Sequence, residues 1–208
     1  MNNNQLIYIV DDDDAVRRSV KFMLKHTGFQ TREMASGDEF LKNVQRNERG
    51  CVLLDIRMPG MDGLEVQEHM NKNGIDMPII ILTGHGDIEI AVKAMRAGAL
   101  NFIEKPYNKD ALLRAIDEAF RHLENNNLKE IAASDANMRL SCLTGRERDV
   151  LNGLLQGYPN KTIAFDLGIS PRTVEIYRAN MMEKLRVKSL AEALRFGFAA
   201  EAVEIVAE

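Results

Sequence analysis

The stretch Leu6-Ile7-Tyr8-Ile9-Val10-Asp11-Asp12-Asp13-Asp14 decides how the first half of the chain is read. Five successive apolar side chains leave a strand with no polar face, so that strand is buried on both sides. Four carboxylates follow it without a spacer. Working outward, four further short runs are candidate strands: Thr31–Ala35, Cys51–Leu54, Pro78–Leu82 and Asn101–Glu104, most of them apolar. Between them, apolar residues recur at three- and four-residue spacing. Val16, Val20 and Leu24 mark a helix closed by Gly28. Phe40, Leu41 and Val44 mark one capped by Ser36. Leu64, Val66 and Met70 lie in a third; Ile88, Ala91, Val92 and Met95 precede Gly98; Leu112, Leu113, Ile116 and Phe120 form the last. Strand and helix in strict alternation predict an α/β domain, a doubly wound five-stranded parallel sheet. In such a sheet ligands bind beyond the carboxyl ends of the strands.

The rest of the chain reads as all helix. Thr144-Gly145-Arg146-Glu147 is a capping box opening a helix with Val150, Leu151, Leu154 and Leu155. A short helix over Asn160–Leu167, a turn at Gly168-Ile169, and a helix opened by Ser170-Pro171 give a helix-turn-helix pattern. Ser189 to Glu192 is a second capping box, opening a last helix. Residues 1–124 therefore read as one domain, 125–142 as a partly helical linker, and 143–208 as an all-α helix-turn-helix domain.

Composition agrees with two modest domains. The 208 residues are 45% hydrophobic and 28% charged, a globular balance. The net charge of −4 argues at first against a nucleic-acid binder, but it is an uneven sum. Residues 1–124 carry 16 basic and 20 acidic side chains, whereas residues 143–195 carry nine basic and six acidic. An acidic first part and a locally basic second part predict two domains with different partners. Cys51 and Cys142 have no metal or redox spacing, so a reducing compartment fits. The opening Met-Asn-Asn-Asn-Gln lacks the features of a signal peptide, and no apolar run approaches the roughly 18 residues of a membrane span. A cytoplasmic protein without a membrane partner is expected.

The strand ends carry the chemistry. Asp11 and Asp12 follow the first strand and Asp55 the third, so three carboxylates converge on one rim. Their repulsion calls for a cation, and hard oxygen ligands with room for water suit Mg²⁺ or Mn²⁺. Thr83 after the fourth strand adds a hydroxyl, and Lys105 after the fifth an ammonium. These groups can receive a phosphoryl group, with Asp55 as nucleophile. Asp13 and Asp14 are read as capping the first helix and meeting its dipole.

Ile-Val-Asp-Asp (9–12), Leu-Asp-Ile-Arg-Met-Pro-Gly-Met-Asp-Gly (54–63), Leu-Thr-Gly-His-Gly-Asp (82–87) and Glu-Lys-Pro-Tyr (104–107) together resemble the receiver domain of two-component response regulators, which has a flavodoxin-like fold. The resemblance covers roughly residues 5–124. It implies that Asp55 accepts phosphate from a sensor histidine kinase, that Asp11, Asp12, Asp55 and the backbone carbonyl of Arg57 hold the metal, and that Thr83 and Lys105 grip the phosphoryl oxygens. Phe102 stands at the aromatic switch position, and Arg57 and His85 at positions that tune dephosphorylation.

The helix from Ser170 to Leu185 is amphipathic, with Val174, Met181, Met182 and Leu185 facing inward. Arg172, Thr173, Tyr177, Arg178, Asn180 and Lys184 populate the other side, a set suited to a DNA groove. Leu-Thr-Gly-Arg-Glu-Arg-Asp-Val-Leu (143–151), Asn-Lys-Thr-Ile-Ala (160–164) and Ile-Ser-Pro-Arg-Thr-Val-Glu-Ile-Tyr-Arg-Ala-Asn (169–180) resemble the LuxR/NarL-type DNA-binding domain. That resemblance places Glu175, Ile176 and Ala179 toward bases, and Lys161, Arg172, Tyr177, Arg178, Asn180 and Lys184 at phosphates or nearby bases. NarL-type relatives often carry lysines where Glu175 and Ala179 stand. The whole arrangement is most similar to FixJ-type regulators.

The expected function is transcription control: phosphorylation of Asp55 switches homodimerisation and binding of promoter DNA, with RNA polymerase as a further partner. No enzyme activity is expected beyond phosphoryl transfer to Asp55 and autodephosphorylation. Two alternatives stay open, a Mg²⁺-dependent phosphohydrolase and a DNA-binding regulator that works without phosphorylation.

Overall fold

The computed structural model describes residues 5–25, 27–46, 48–84, 88–124 and 139–206. They fall into two compact units: residues up to 84 together with 97–124, and residues 88–96 together with those from 139 onward.

The first unit holds five strands, β1 (Leu6–Val10), β2 (Gln30–Met34), β3 (Gly50–Asp55), β4 (Ile79–Thr83) and β5 (Asn101–Glu104). All pair in parallel in the order β2-β1-β3-β4-β5. The expected sheet is therefore observed, with shifted strand edges. Pro78 has no N–H for the ladder and stands just before β4, its carbonyl accepting the Val52 N–H at 3.0 Å. Asp55 and Thr83 are the last residues of their strands rather than the first residues after them.

Helices α1 (Asp14–Leu24), α2 (Gly37–Asn43), α3 (Gly63–Lys72), α4 (Ile88–Arg96) and α5 (Lys109–Glu124) alternate with the strands. Asp13 caps α1 by accepting the Ala15 N–H, and Ser36 caps α2 as its position predicts. One face of the sheet presents Ile7, Ile9, Leu53, Ile80 and Leu82 to Val20 and Leu24 of α1 and to Leu112, Ile116 and Phe120 of α5. Burying each such side chain is worth about 1.5–3 kcal/mol, which clamps both helices to the sheet. The opposite face carries Tyr8, whose ring meets the Phe40 edge of α2 at 5.1 Å. Its buried hydroxyl is satisfied: it donates to Glu48 and accepts from Arg32. Burial, reinforced by Glu48, pushes that hydroxyl up to about 12.

The second unit contains α6 (Gly145–Leu155), α7 (Asn160–Leu167), α8 (Pro171–Leu185) and α9 (Leu190–Val206). The Thr144/Glu147 capping box is present in full. Gly168 closes α7 at φ 66°, the left-handed conformation that suits glycine. Ser170 caps α8 with Pro171 at its first position. Val174, Met181 and Leu185 of α8 are buried, as are Leu151 and Leu154 of α6 and Ile163 of α7. Met182, expected inward, is half-buried. Of the expected linker, residues 139–141 are helical and residues 125–138 lie outside the described residues.

At the start of α3, a Cβ on Gly63 would lie 2.4 Å from the Asp55 carbonyl oxygen and 2.9 Å from Ile56 Cα. Only glycine lets that helix begin so close beneath β3. Gly145 at the start of α6 has nothing within 4 Å of the same position. Urea unfolding is expected to show Gly63→Ala destabilised by about 1–3 kcal/mol and Gly145→Ala within about 0.5 kcal/mol of the parent.

Candidate functional site

The strand order reverses direction between β1 and β3, and a doubly wound sheet opens a crevice at that point. Asp11 leaves β1 there and Asp55 ends β3, in neighbouring strands that pair Val10 with Leu54. One oxygen each of Asp11, Asp12 and Asp55 lies within 4.8 Å of the others. Asp11 and Asp55 are buried, while Asp12 is exposed and leaves the cluster open to water.

Two strands away, Lys105 reaches the same point. Its Nζ donates to Asp11 Oδ2 at 2.7 Å and to Asp55 Oδ1 at 2.6 Å. The backbone sets its approach, because Lys105 N donates to the Thr83 carbonyl at 2.7 Å. Burial first, and then the Asp11 charge, push the Asp55 carboxyl above its ordinary value despite Lys105 and the Arg57 N–H. Burial also works against the Lys105 ammonium, yet its bonds to Asp11 and Asp55 hold it above its ordinary value. Thr83 is buried, with its hydroxyl 3.5 Å from the Gly84 carbonyl, at the limit of a hydrogen bond. Phe102 lies half-buried in β5. Arg57 is exposed just beyond Asp55. His85 lies outside the described residues.

The structure thus brings together Asp11, Asp12, Asp55 and Lys105 with Thr83 on the adjoining strand. Three oxygen donors with open space beside them fit a small divalent cation such as Mg²⁺. Two participants escape the sequence. Tyr107 is half-buried beside the cluster, its hydroxyl raised chiefly by burial. Arg17 donates to the carbonyls of Asp11 and Asp12 at 2.7 and 2.9 Å. Spacing could not show the second contact, since a side chain on α1 folds back over the strand end that precedes it.

In the second unit, the proposed base-facing residues Glu175, Ile176 and Ala179 are exposed on α8, Ile176 at 51%. Arg172, Asn180 and Lys161 are exposed as well, and Arg172 pairs with Glu175 at 2.7 Å. Thr173, Tyr177 and Arg178 are half-buried rather than outward. Arg178 donates to Asn160 Oδ1 of α7 at 2.9 Å. Lys184 donates to Glu147 Oε2 at 2.7 Å, and Glu147 is buried. Both cations thus help to fix α8 against its neighbours. Burial opposes the Glu147 charge, but Lys184 and Thr144 hold its carboxyl below the ordinary value.

Comparison with known proteins separates the same two parts. Residues 7–117 match the family described as response regulator receiver domain, and residues 141–196 match bacterial regulatory proteins of the luxR family. The chain belongs to the response regulators that join a receiver to a LuxR-family DNA-binding domain. Its relatives include the transcriptional regulatory protein FixJ of Azorhizobium caulinodans, 43% identical over 93% of this chain and 92% of that protein. FixJ of Rhizobium meliloti is also 43% identical, over 93% and 95%. The response regulator protein TodT of Pseudomonas putida is 39% identical over 91% and 84%. Among solved structures, full-length FixJ from B. japonicum is 42% identical, covers 95% of this chain and 98% of its own, and gives a TM-score of 0.57. The protein is accordingly a two-component response regulator that controls transcription through a helix-turn-helix. Among the described residues no helix is long and apolar enough to cross a membrane.

A carboxyl whose folded pKa is raised binds its proton more tightly in the native state, so stability falls as pH rises through that folded pKa. Asp55→Asn cannot ionise. It is therefore expected to be more stable than the parent at neutral pH, with the difference closing as pH falls below the ordinary carboxylate range. Urea midpoints at the two pH values measure this, and a variant less stable than the parent at neutral pH contradicts it.

Proposed function

We propose that Asp55 is the phosphoacceptor of a sensor histidine kinase and that its phosphorylation switches sequence-specific binding to promoter DNA. The observation that carries the reading is the Lys105 bridge between the buried Asp11 and Asp55 carboxylates, set beside Thr83 at the switch point of the sheet. In the transfer, an Asp55 oxygen forms a bond to phosphorus as the phosphorus–nitrogen bond of the kinase phosphohistidine breaks. The imidazole leaves with that electron pair and takes up a proton from solvent. Mg²⁺ or Mn²⁺, held by Asp11, Asp12, Asp55 and the Arg57 carbonyl, would supply positive charge to the phosphoryl oxygens. Lys105, already 2.6 Å from Asp55, exchanges a carboxylate oxygen for a phosphoryl oxygen. The Thr83 hydroxyl exchanges its 3.5 Å contact for a second one. Phe102, next along the edge of the sheet, follows Thr83. Arg57 and His85 set the lifetime of the acyl phosphate.

On this reading residues 1–124 form the receiver, 125–142 the linker and 143–208 the DNA-binding domain. The phosphorylated protein acts in the cytoplasm as a homodimer on paired half-sites and contacts RNA polymerase. Glu175, Ile176 and Ala179 face bases, and Glu175 accepts from cytosine amino groups. Lys161, Arg172 and Asn180 anchor phosphates. Thr173, Tyr177, Arg178 and Lys184 serve partly by holding α8 in place.

Fluorescence anisotropy on promoter fragments recovered by genome-wide binding tests the switch. Beryllofluoride, a phosphoryl mimic, is expected to tighten binding by roughly tenfold in the parent and to leave Asp55→Ala unchanged. Equal binding in all four samples sinks the proposal. The division of labour among cations has its own readout. Arg172→Ala is expected to lower the slope of log affinity against log salt by about one. Lys184→Ala is expected instead to cost about 1–2 kcal/mol in unfolding, because it strips a buried carboxylate of its cation.

A further inference from the structure

Arg17 is the fifth residue after Asp12, the last position that the site uses on the first loop, with Asp14 opening α1 between them. Its side chain is only 13% exposed, while that of its neighbour Arg18 is 71% exposed. Both arginines pair with Asp14, Arg17 at 3.1 Å and Arg18 at 2.9 Å. A cation in the first turn opposes the helix dipole, so helix stability does not explain why one is folded inward there. The distinguishing contacts are those of Arg17 NH1 with the consecutive carbonyls of Asp11 and Asp12.

The second of those carbonyls shares a peptide plane with the Asp13 N–H. A trans peptide is rigid and its C=O and N–H point to opposite sides, so holding one aims the other. The Asp13 N–H indeed donates to Asp11 Oδ1 at 2.9 Å. Asp11 Oδ2 is taken by Lys105, so both oxygens of the buried carboxylate are fixed, one by a lysine and one by a peptide. We infer that Arg17 is a positioning residue for the cation site: it locks the Asp12–Asp13 peptide so that the Asp13 N–H orients the Asp11 carboxylate toward Asp12 and Asp55. The inference rests on the proposed divalent-cation site.

The sign of the effect separates positioning from charge. Arg17 lies beside a site for a cation, so deletion of its positive charge by itself tightens metal binding. Loss of orientation weakens it, and deleting a partner that orients a metal ligand costs on the order of tenfold in affinity. Mn²⁺ titration of the full chain, followed by electron paramagnetic resonance of the free ion, reads this without any phosphorylation. Arg17→Gln is expected to bind Mn²⁺ roughly tenfold more weakly, and Arg17→Lys to weaken it less but in the same direction. Arg18→Gln removes the same charge from the next position and is expected to bind as the parent does, or more tightly. Amide exchange of Asp13 in metal-free protein is expected to quicken in Arg17→Gln and not in Arg18→Gln.

Tighter or unchanged Mn²⁺ binding in Arg17→Gln, or a lowered melting temperature with affinity and Asp13 exchange unaltered, overturns the positioning role. Asp12→Asn separates that failure from failure of the site itself. If the parent takes up no Mn²⁺, or Asp12→Asn binds as well as the parent, the cation site falls and the inference with it.

Discussion

The structure of the first unit is organised around a conflict between like charges. Asp11 and Asp55 are buried at the ends of adjacent parallel strands, and Asp12 brings a third carboxylate to the same rim. Removing such charges from water is costly unless each has a partner. The partner comes from the far edge of the sheet. Lys105 reaches the cluster because β4 lies between β3 and β5 and because the Lys105 N–H is tied to the Thr83 carbonyl at the end of β4. The register of three strands thus decides an electrostatic question. One lysine shared by two carboxylates does not offset their burial, which first, and with the Asp11 charge behind it, raises the Asp55 carboxyl.

The second unit repeats this logic on a smaller scale. Glu147 is buried in the first turn of α6, where it completes a capping box and accepts the Lys184 ammonium from the far end of α8. A capping residue thereby becomes a brace between two helices. Arg178 braces α8 against Asn160 at the start of α7. These contacts fix the angle at which the exposed row of Glu175, Ile176 and Ala179 is presented. A helix that reads a groove gains specificity from being held, since a side chain displaced by even an ångström loses its hydrogen bonds.

Much of this was legible in the sequence because it depends on period and position. Unbroken apolar runs such as Leu6–Val10 announce a sheet covered on both faces, and the residues at their ends declare the rim. Capping boxes at Thr144 and glycine at 168 mark helix ends through local hydrogen bonding alone. A long side chain with a choice of direction is not legible in this way. Arg178 and Lys184 fall on the polar side of α8 in any helical projection, and nothing local says that they turn toward α7 and α6. Arg17 is silent in the sequence for the same reason, its contacts being to backbone carbonyls that carry no mark there. Strand edges shifted by a residue where Pro78 could not join the ladder.

The net charge of −4 shows how a total can conceal its parts. In the first unit part of the acidic excess sits at a rim where one lysine serves two buried carboxylates, a surplus of negative charge that suits a divalent cation. In the second, the small basic excess is itself partly paired, since Lys184 answers the buried Glu147 and Arg172 answers Glu175 on the surface. The face of α8 is therefore less positive than a count of lysines and arginines implies. A weakly basic face gains little from counterion release, the sequence-independent part of binding to a polyanion. On the proposed reading, what remains for such a face is the choice among bases, and a carboxylate at Glu175 in its midst would sharpen that choice by repelling every approach that does not offer it a donor.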